Sequence, residues 1–314
     1  MFLAAGWGLI VLSIFLCGCG PREQGDADAD ILRYESLARG RFNTERYAEA
    51  IAAYKKVIEL DPDNADAHSY MGTAYSVLGK PAEAIVAYKK VIAIKPDYPY
   101  VYSNMAGAYA KLGQYDNAVA AYKKAVTMEP YPSAGDHFGD EYYGMGCAYG
   151  KLERHADATA AFQKAVAAHK KTIEDHPDNT DAYYSMGLTY RELGRHADAT
   201  AAFEKNIVIL KKDLAEALTT YPEAAAWIYL EMSNTHRSLE QYSEAVVACK
   251  KAIDLKPDYG LAYLTLGHAY RQLNQNKLAL AAYEKCYDLV PSGLDVELLR
   301  KKISELSTTQ PANQ

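Results

Sequence analysis

The segment Tyr70-Met-Gly-Thr-Ala-Tyr75 returns as Asn104-Met-Ala-Gly-Ala-Tyr109, and Ala82-Glu-Ala-Ile-Val-Ala-Tyr88-Lys-Lys-Val returns as Asp116-Asn-Ala-Val-Ala-Ala-Tyr122-Lys-Lys-Ala. Gly72 and Ala106 stand 34 residues apart, and Pro62, Pro96 and Pro130 keep the same interval. A fixed period of this length, closed by Pro, marks a chain built of helix–turn–helix units. One unit cannot bury its own apolar face, so the units must stack, and the core exists only as a continuous seam between them. The composition agrees. The 314 residues include 27 Tyr, 20 Gly and 12 Pro, and by count 51 Ala, with 49% hydrophobic residues. That is apolar enough to exclude disorder and small enough in side chain for tight helix packing.

Seven copies can be aligned. The small slot of the first helix holds Ala38, Gly72, Ala106, Gly146, Gly187, Ser233 and Gly267. The Ala slot of the second helix holds Ala50, Ala84, Ala118, Ala158, Ala199, Ala245 and Ala279, and the aromatic slot four later holds Tyr54, Tyr88, Tyr122, Phe162, Phe203, Cys249 and Tyr283. This Leu-Gly-x-x-Tyr…Ala-x-x-x-Phe…Pro pattern resembles the tetratricopeptide repeat family over about residues 31–291. The resemblance implies an all-α, right-handed superhelical solenoid. Its repeats fall at 31–64, 65–98, 99–132, 139–179, 180–225, 226–259 and 260–293. Pro ends each second helix because its ring blocks a continuing hydrogen bond, so DPDN, KPDY and HPDN read as inter-repeat turns.

The small slots are spaced 34, 34, 40, 41, 46 and 34 residues apart. Extra residues near Ser133–Phe138 read as a loop. Those at Ala167–Asp175 and Leu210–Thr220 hold neither Gly nor Pro, and are expected to lengthen two second helices by about two and three turns. Arg41 replaces the expected Tyr in the first, degenerate repeat. After Pro291, Leu294, Leu298, Leu299, Ile303 and Leu306 share one side, which predicts a capping helix over 294–306, followed by a disordered polar tail at 307–314.

The N-terminus reads as an address. Phe2–Leu16 is uncharged and apolar and runs into Leu16-Cys17-Gly18-Cys19, which resembles a bacterial lipobox. On that reading residues 1–18 are a removable signal peptide and Cys19 is the lipidated residue. The alternative is an uncleaved helix anchor, since about 20 apolar residues span a bilayer. The first charged side chain is Arg22, although such leaders usually begin with Lys or Arg. Either reading ties the chain to a membrane of the bacterial envelope, facing the periplasm or exterior. Residues 19–30 read as a lipidated terminus and an acidic tether, with Glu23, Asp26, Asp28 and Asp30 against Arg22. About half of the net charge of −6 therefore lies in the tether. Nothing in that balance attracts nucleic acid.

No motif carries chemistry, so no catalytic, metal or cofactor site is expected. Gly79-Lys80 is followed by Pro81, so there is no phosphate loop; Gly144, Gly146 and Gly150 have the wrong spacing for a dinucleotide; no His-Glu-x-x-His occurs; and Asp61-Pro-Asp63-Asn64 fails the calcium loop at Ala65. His155 and His196 share a slot that holds Tyr47, Tyr115 and Tyr242 elsewhere, which favours packing over metal binding. Cys147, Cys249 and Cys286 read as buried small hydrophobes, with a Cys249–Cys286 bridge as the alternative.

In this family the first helices line the concave face. Four residues after the small slot come Phe42, Ser76, Ala110 and Gly150, then Arg191, Arg237 and Arg271. On the same side lie Asn234 and His268, and in the earlier slots Tyr184, Trp227, Leu230, Leu261 and Leu264. These ten residues form the predicted groove site. Arginine is a directional partner for carboxylates, so the expected partner is a protein segment with acidic and apolar residues. The competing reading pairs these arginines with Glu192 or Glu231 and covers Trp227, Leu261 and Leu264 with the C-terminal helix. The pattern departs from the Lys- and Asn-based carboxylate clamp of some family members. The expected function is a non-catalytic, membrane-anchored scaffold; the alternative is a structural subunit or assembly factor that self-associates through repeat ends or extended helices.

Overall fold

The computed structural model describes residues 24–44, 46–128, 138–289 and 296–308. Every regular element among them is an α-helix. Each repeat contributes a pair: α1 (Gln24–Asn43) with α2 (Tyr47–Leu60), α3 (Ala65–Val77) with α4 (Pro81–Ile94), and α5 (Pro99–Lys111) with α6 (Tyr115–Val126). Then come α7 (Gly139–Lys151) with α8 (His155–Asp175), α9 (Thr180–Glu192) with α10 (His196–Thr220), α11 (Pro222–Ser238) with α12 (Tyr242–Leu255), and α13 (Gly260–Gln272) with α14 (Asn276–Leu289). The last helix, α15 (Val296–Thr308), packs on α14. Each helix packs on its neighbours in sequence, and first helices also touch across repeats, α3 on α5, α5 on α7, α7 on α9 and α11 on α13. Crowding of the first helices puts them on the inner side of the stack.

The repeat slots have a direct physical meaning here. A methyl group built on Gly72 would meet the Tyr88 ring at 2.6 Å; on Gly146, Phe162 at 2.5 Å; on Gly187, Phe203 at 2.6 Å; and on Gly267, Tyr283 at 2.5 Å. The small residue therefore exists to seat the aromatic ring of its own repeat's second helix. Repeat six changes both partners together: Ser233 replaces Gly and Cys249 replaces the ring, and Ser233 Oγ lies 2.9 Å from Cys249 Sγ while donating to the Ala245 carbonyl. In repeat three the ring of Tyr122 turns instead to the next repeat, against Gly144.

Turns are built by rule. Asn64 and Asn179, the last residues of DPDN and HPDN, accept from the Ala67 and Ala182 N–H groups at 2.9 and 2.8 Å and so cap α3 and α9. Within repeats, the chain leaves the first helix through a left-handed residue: Gly79, Gly113 and Gly194, but also Glu153, Glu240 and Asn274. Just beyond, Arg46, Arg154 and Arg195 pair with Glu49, Asp157 and Asp198. Arg41, the misfit of repeat one, pairs with Glu49 at 3.3 Å.

The long helices α8 and α10 have 21 and 25 residues against 12 to 14 for α2, α4, α6, α12 and α14. These are the two whose extra residues lack Gly and Pro. At the junction made by the second of them, Asn206 of α10 donates to the Thr180 carbonyl at 2.7 Å and accepts from Thr235 at 2.8 Å, tying α9 to α11 through a buried polar link.

Two boundaries differ from expectation. Helix α1 begins at Gln24, so residues 24–30 of the expected tether are helical. Helix α15 runs through Thr308, two residues into the expected tail, which moves the cap from 294–306 to 296–308. Leu299 and Leu306 are buried there in one cluster with Leu266, Tyr270 and Tyr283. Cys19 with the rest of the leader, Ser133–His137, Leu294 and residues 309–314 lie outside the described residues. No helix among the described residues is long and apolar enough to cross a membrane.

Candidate functional site

The ten predicted groove residues do not form one surface. Leu230 is 5% exposed and sits in a core cluster with Ala226, Ala252, Tyr259 and Ala262. It supports the groove wall and offers nothing to a ligand, which corrects its assignment as a contact residue. Leu264 is half-buried against the cluster that holds Leu299 and Leu306. Tyr184 is also half-buried: its ring lies 5.7 Å from Phe203, and its hydroxyl is 3.3 Å from Ser238 Oγ. Trp227 and Leu261, by contrast, are 46% and 40% exposed. They hold equivalent slots on α11 and α13, so the apolar strip open to solvent is this pair.

The arginine row also divides. Arg191 is exposed and faces repeat four, where it and Glu192 act on Tyr143 beside Cys147. Arg237 and Arg271 belong together at the other end. Both act on His268, on Tyr283 and on Lys302 of α15. Arg237 donates to Asn234 Oδ1 at 3.4 Å. Among the described residues, none of Arg191, Arg237, Arg271 and Lys302 has a carboxylate within ion-pair distance. The pairing with Glu192 or Glu231 that the competing reading required is absent, and α15 leaves Trp227 and Leu261 exposed.

Lys302 is the residue that sequence reasoning missed. Its ammonium donates to His268 Nε2, and it stands 5.7 Å over the Tyr283 ring. The His268 and Tyr283 rings meet edge-on at 5.5 Å. Burial, then Lys302, Arg237 and Arg271, press His268 down to about 3, so the imidazole is neutral and accepts the lysine proton. Burial and the two arginines likewise lower Lys302. Tyr283 is fully buried and its hydroxyl has no hydrogen-bond partner; burial raises it to about 12. A signal was present in the sequence: Lys302 is three residues from Leu299 and four from Leu306, so it lies inside the apolar stripe of α15.

The remainder of the inner face differs. Glu141 of α7 is held by Ser103 of α5 at 2.9 Å, and burial raises its carboxyl above the usual range. Glu231 is raised by burial and by Asp181. The inner face is thus acidic in the middle and cationic at its C-terminal end.

Other sequence candidates resolve plainly. Cys249 and Cys286 are free, buried thiols, each raised by burial to about 11. His155 and His196 are exposed first residues of α8 and α10. No group of metal-binding side chains occurs among the described residues.

Family models described as TPR repeat or tetratricopeptide repeat match residues 41–79, 77–113, 99–132, 142–212, 228–259 and 261–292, together more than half of the chain. No curated protein sequence matches it. Among solved structures, a tetratricopeptide repeat protein from Parabacteroides merdae ATCC 43184 is 14% identical, covers 89% of this chain and 99% of its own, and superposes with a TM-score of 0.52. A MamA crystal structure is 25% identical over 56% of this chain and 96% of its own, with a TM-score of 0.42. The APC/C hetero-tetramer Cut9–Hcn1 gives 16% identity over 91% of this chain and 49% of the matched chain, with a TM-score of 0.47. With the repeat slots, the stacked helix pairs and the family models in agreement, the chain belongs to the tetratricopeptide repeat family.

Proposed function

We propose that this chain is a non-catalytic scaffold, tethered to a membrane of a bacterial envelope, that holds an acidic and apolar segment of a partner protein in the C-terminal half of its inner groove. The observation that carries this reading is the pair of arginines, Arg237 and Arg271, without an ion-pair partner among the described residues and on the same inner face as exposed Trp227 and Leu261. Half-buried Arg237 and exposed Arg271, with no carboxylate within ion-pair distance among the described residues, favour an incoming carboxylate, and solvent-facing Trp and Leu favour an apolar neighbour. Tethering rests on the apolar leader and the Leu16-Cys17-Gly18-Cys19 motif.

The test is fluorescence anisotropy of acidic–apolar peptides with the full chain in detergent. Truncating one partner of a desolvated charge pair costs about 2–5 kcal/mol. Arg237→Glu with Arg271→Glu is therefore expected to weaken binding at least tenfold at about 1.4 kcal/mol per decade. Equal affinity in the variant defeats the proposal. For the tether, labelling with palmitate is expected for the wild type and lost in Cys19→Ala. A second reading, a subunit that self-associates through its long helices, is favoured by exposed Val208, Leu218 and Tyr221 on and just after α10. Concentration-independent light scattering in detergent would exclude it.

A further inference from the structure

The contents of the groove end go beyond an arginine pair. Three cations come from three helices, α11, α13 and α15: Lys302 stands 5.7 Å over the ring of fully buried Tyr283, Arg237 and Arg271 both act on its phenol, and its hydroxyl has no partner. Buried hydroxyls are nearly always hydrogen-bonded, so an unpaired one beside cations that have no carboxylate within ion-pair distance among the described residues points to an absent acceptor. Asn234 and neutral His268 complete the lining. Arg237 and Arg271 press on Lys302, with only Glu305 opposing them. Empty, this end of the groove holds α15 in place against like-charge repulsion.

We propose that α15 is a component of the binding site: Lys302, Arg237 and Arg271 form a seat for a carboxylate, with the Tyr283 hydroxyl as a further donor, and filling the seat fastens α15 to the array. The cap is then a clasp whose closure reports occupancy. The proposal uses the groove reading above for its location only, because a small carboxylate suffices to fill the seat. Each cation sits on a different helix, so a bound carboxylate links the last two repeats to the cap in one network. The Leu299 and Leu306 contacts hold α15 near when the seat is empty, and the carboxylate removes the repulsion that opposes them.

The experiment is hydrogen–deuterium exchange of residues 296–308 in the full chain in detergent, with glutarate replacing chloride at constant ionic strength. For a ligand that binds only the closed form, exchange slows by the factor one plus ligand over dissociation constant, about tenfold at about ten times that constant. Lys302→Met is expected to slow exchange of α15 without glutarate and to abolish the response to it. Tyr283→Phe is expected to keep the cap closed and weaken the response, with far-UV circular dichroism confirming that both variants fold. Unchanged exchange with glutarate, or a full response in Lys302→Met, overturns the proposal. Equal slowing by inorganic phosphate overturns the carboxylate assignment. If acidic peptides bind while α15 does not respond, the groove reading stands and this one falls; if glutarate fastens α15 and no such peptide binds, the reverse holds.

Discussion

Helix α7 carries a matched pair of glycines one turn apart, and they should respond oppositely to the same substitution. Replacing either Gly146 or Gly150 by Ala gains about 0.5–1 kcal/mol of helix propensity. At Gly150 the added methyl meets nothing within 4 Å. At Gly146 it meets Phe162 Cε1 at 2.5 Å, Cδ1 at 2.6 Å and Cζ at 2.9 Å. That ring is buried and lies 5.8 Å from Tyr143, so it has little freedom to withdraw. Overpacking of this kind costs about 1–3 kcal/mol. Gly150→Ala is therefore expected to stabilise, Gly146→Ala to range from neutral to about 2 kcal/mol destabilising, and the two to differ by about 1–3 kcal/mol. In urea, with a slope of about 1–3 kcal/mol/M, the midpoints should separate by roughly 0.5–1 M. Stacked repeats unfold with neighbour-dependent cooperativity, so exchange of α7 and α8 amides should accompany the circular dichroism curve. Phe162→Leu should relieve the clash, giving a favourable coupling energy of about 0.5–3 kcal/mol with Gly146→Ala. Equal midpoints for the two alanine variants, or no coupling to Phe162, would refute the account of the small slot as a seat for the ring.

Other outcomes follow from the same geometry. Asn206→Ala should destabilise by about 1–3 kcal/mol in denaturant titration, since it removes both buried hydrogen bonds that tie α9 to α11 through α10. Glu240→Gly should raise the urea midpoint through a gain of up to about 1 kcal/mol, because Glu240 holds a left-handed φ of 60°; a fall would show that its side chain contributes more than its backbone costs. The folded chain keeps His268 neutral down to about pH 3 while the unfolded chain protonates it near its ordinary value. The unfolded state thus binds more protons in that window, so stability is full above about 6.5 and falls as pH drops, by about 2 kcal/mol at pH 5. His268→Gln should flatten that slope in thermal melts across pH. At mildly alkaline pH, iodoacetamide should modify half-buried Cys147 before Cys249 and Cys286, read by mass spectrometry, since the latter two are buried and raised to about 11.

The sequence by itself determined the repeat, and with it nearly every helix, because periodicity within a helix is local: small, Ala and aromatic slots recur at fixed offsets and dictate which face packs. It also placed the two long helices, since Lys-, Ala- and Leu-rich insertions without Gly or Pro can only extend what precedes them. It misjudged residues 24–30, where composition pointed to a tether but the chain is already helical as the start of α1. Only the tertiary structure decided which groove residues meet. Slot arithmetic treated Arg191, Arg237 and Arg271 as one row. Arg191 instead acts, with its neighbour Glu192, on Tyr143 of the preceding repeat. Leu230 satisfied the same arithmetic yet lies under Tyr259, because burial depends on what the next repeat lays over it. Lys302 entered the site from a helix outside the repeat, along a contact that no period encodes. Local spacing fixes which way a side chain faces on its own helix; its neighbours across helices depend on how successive repeats pack.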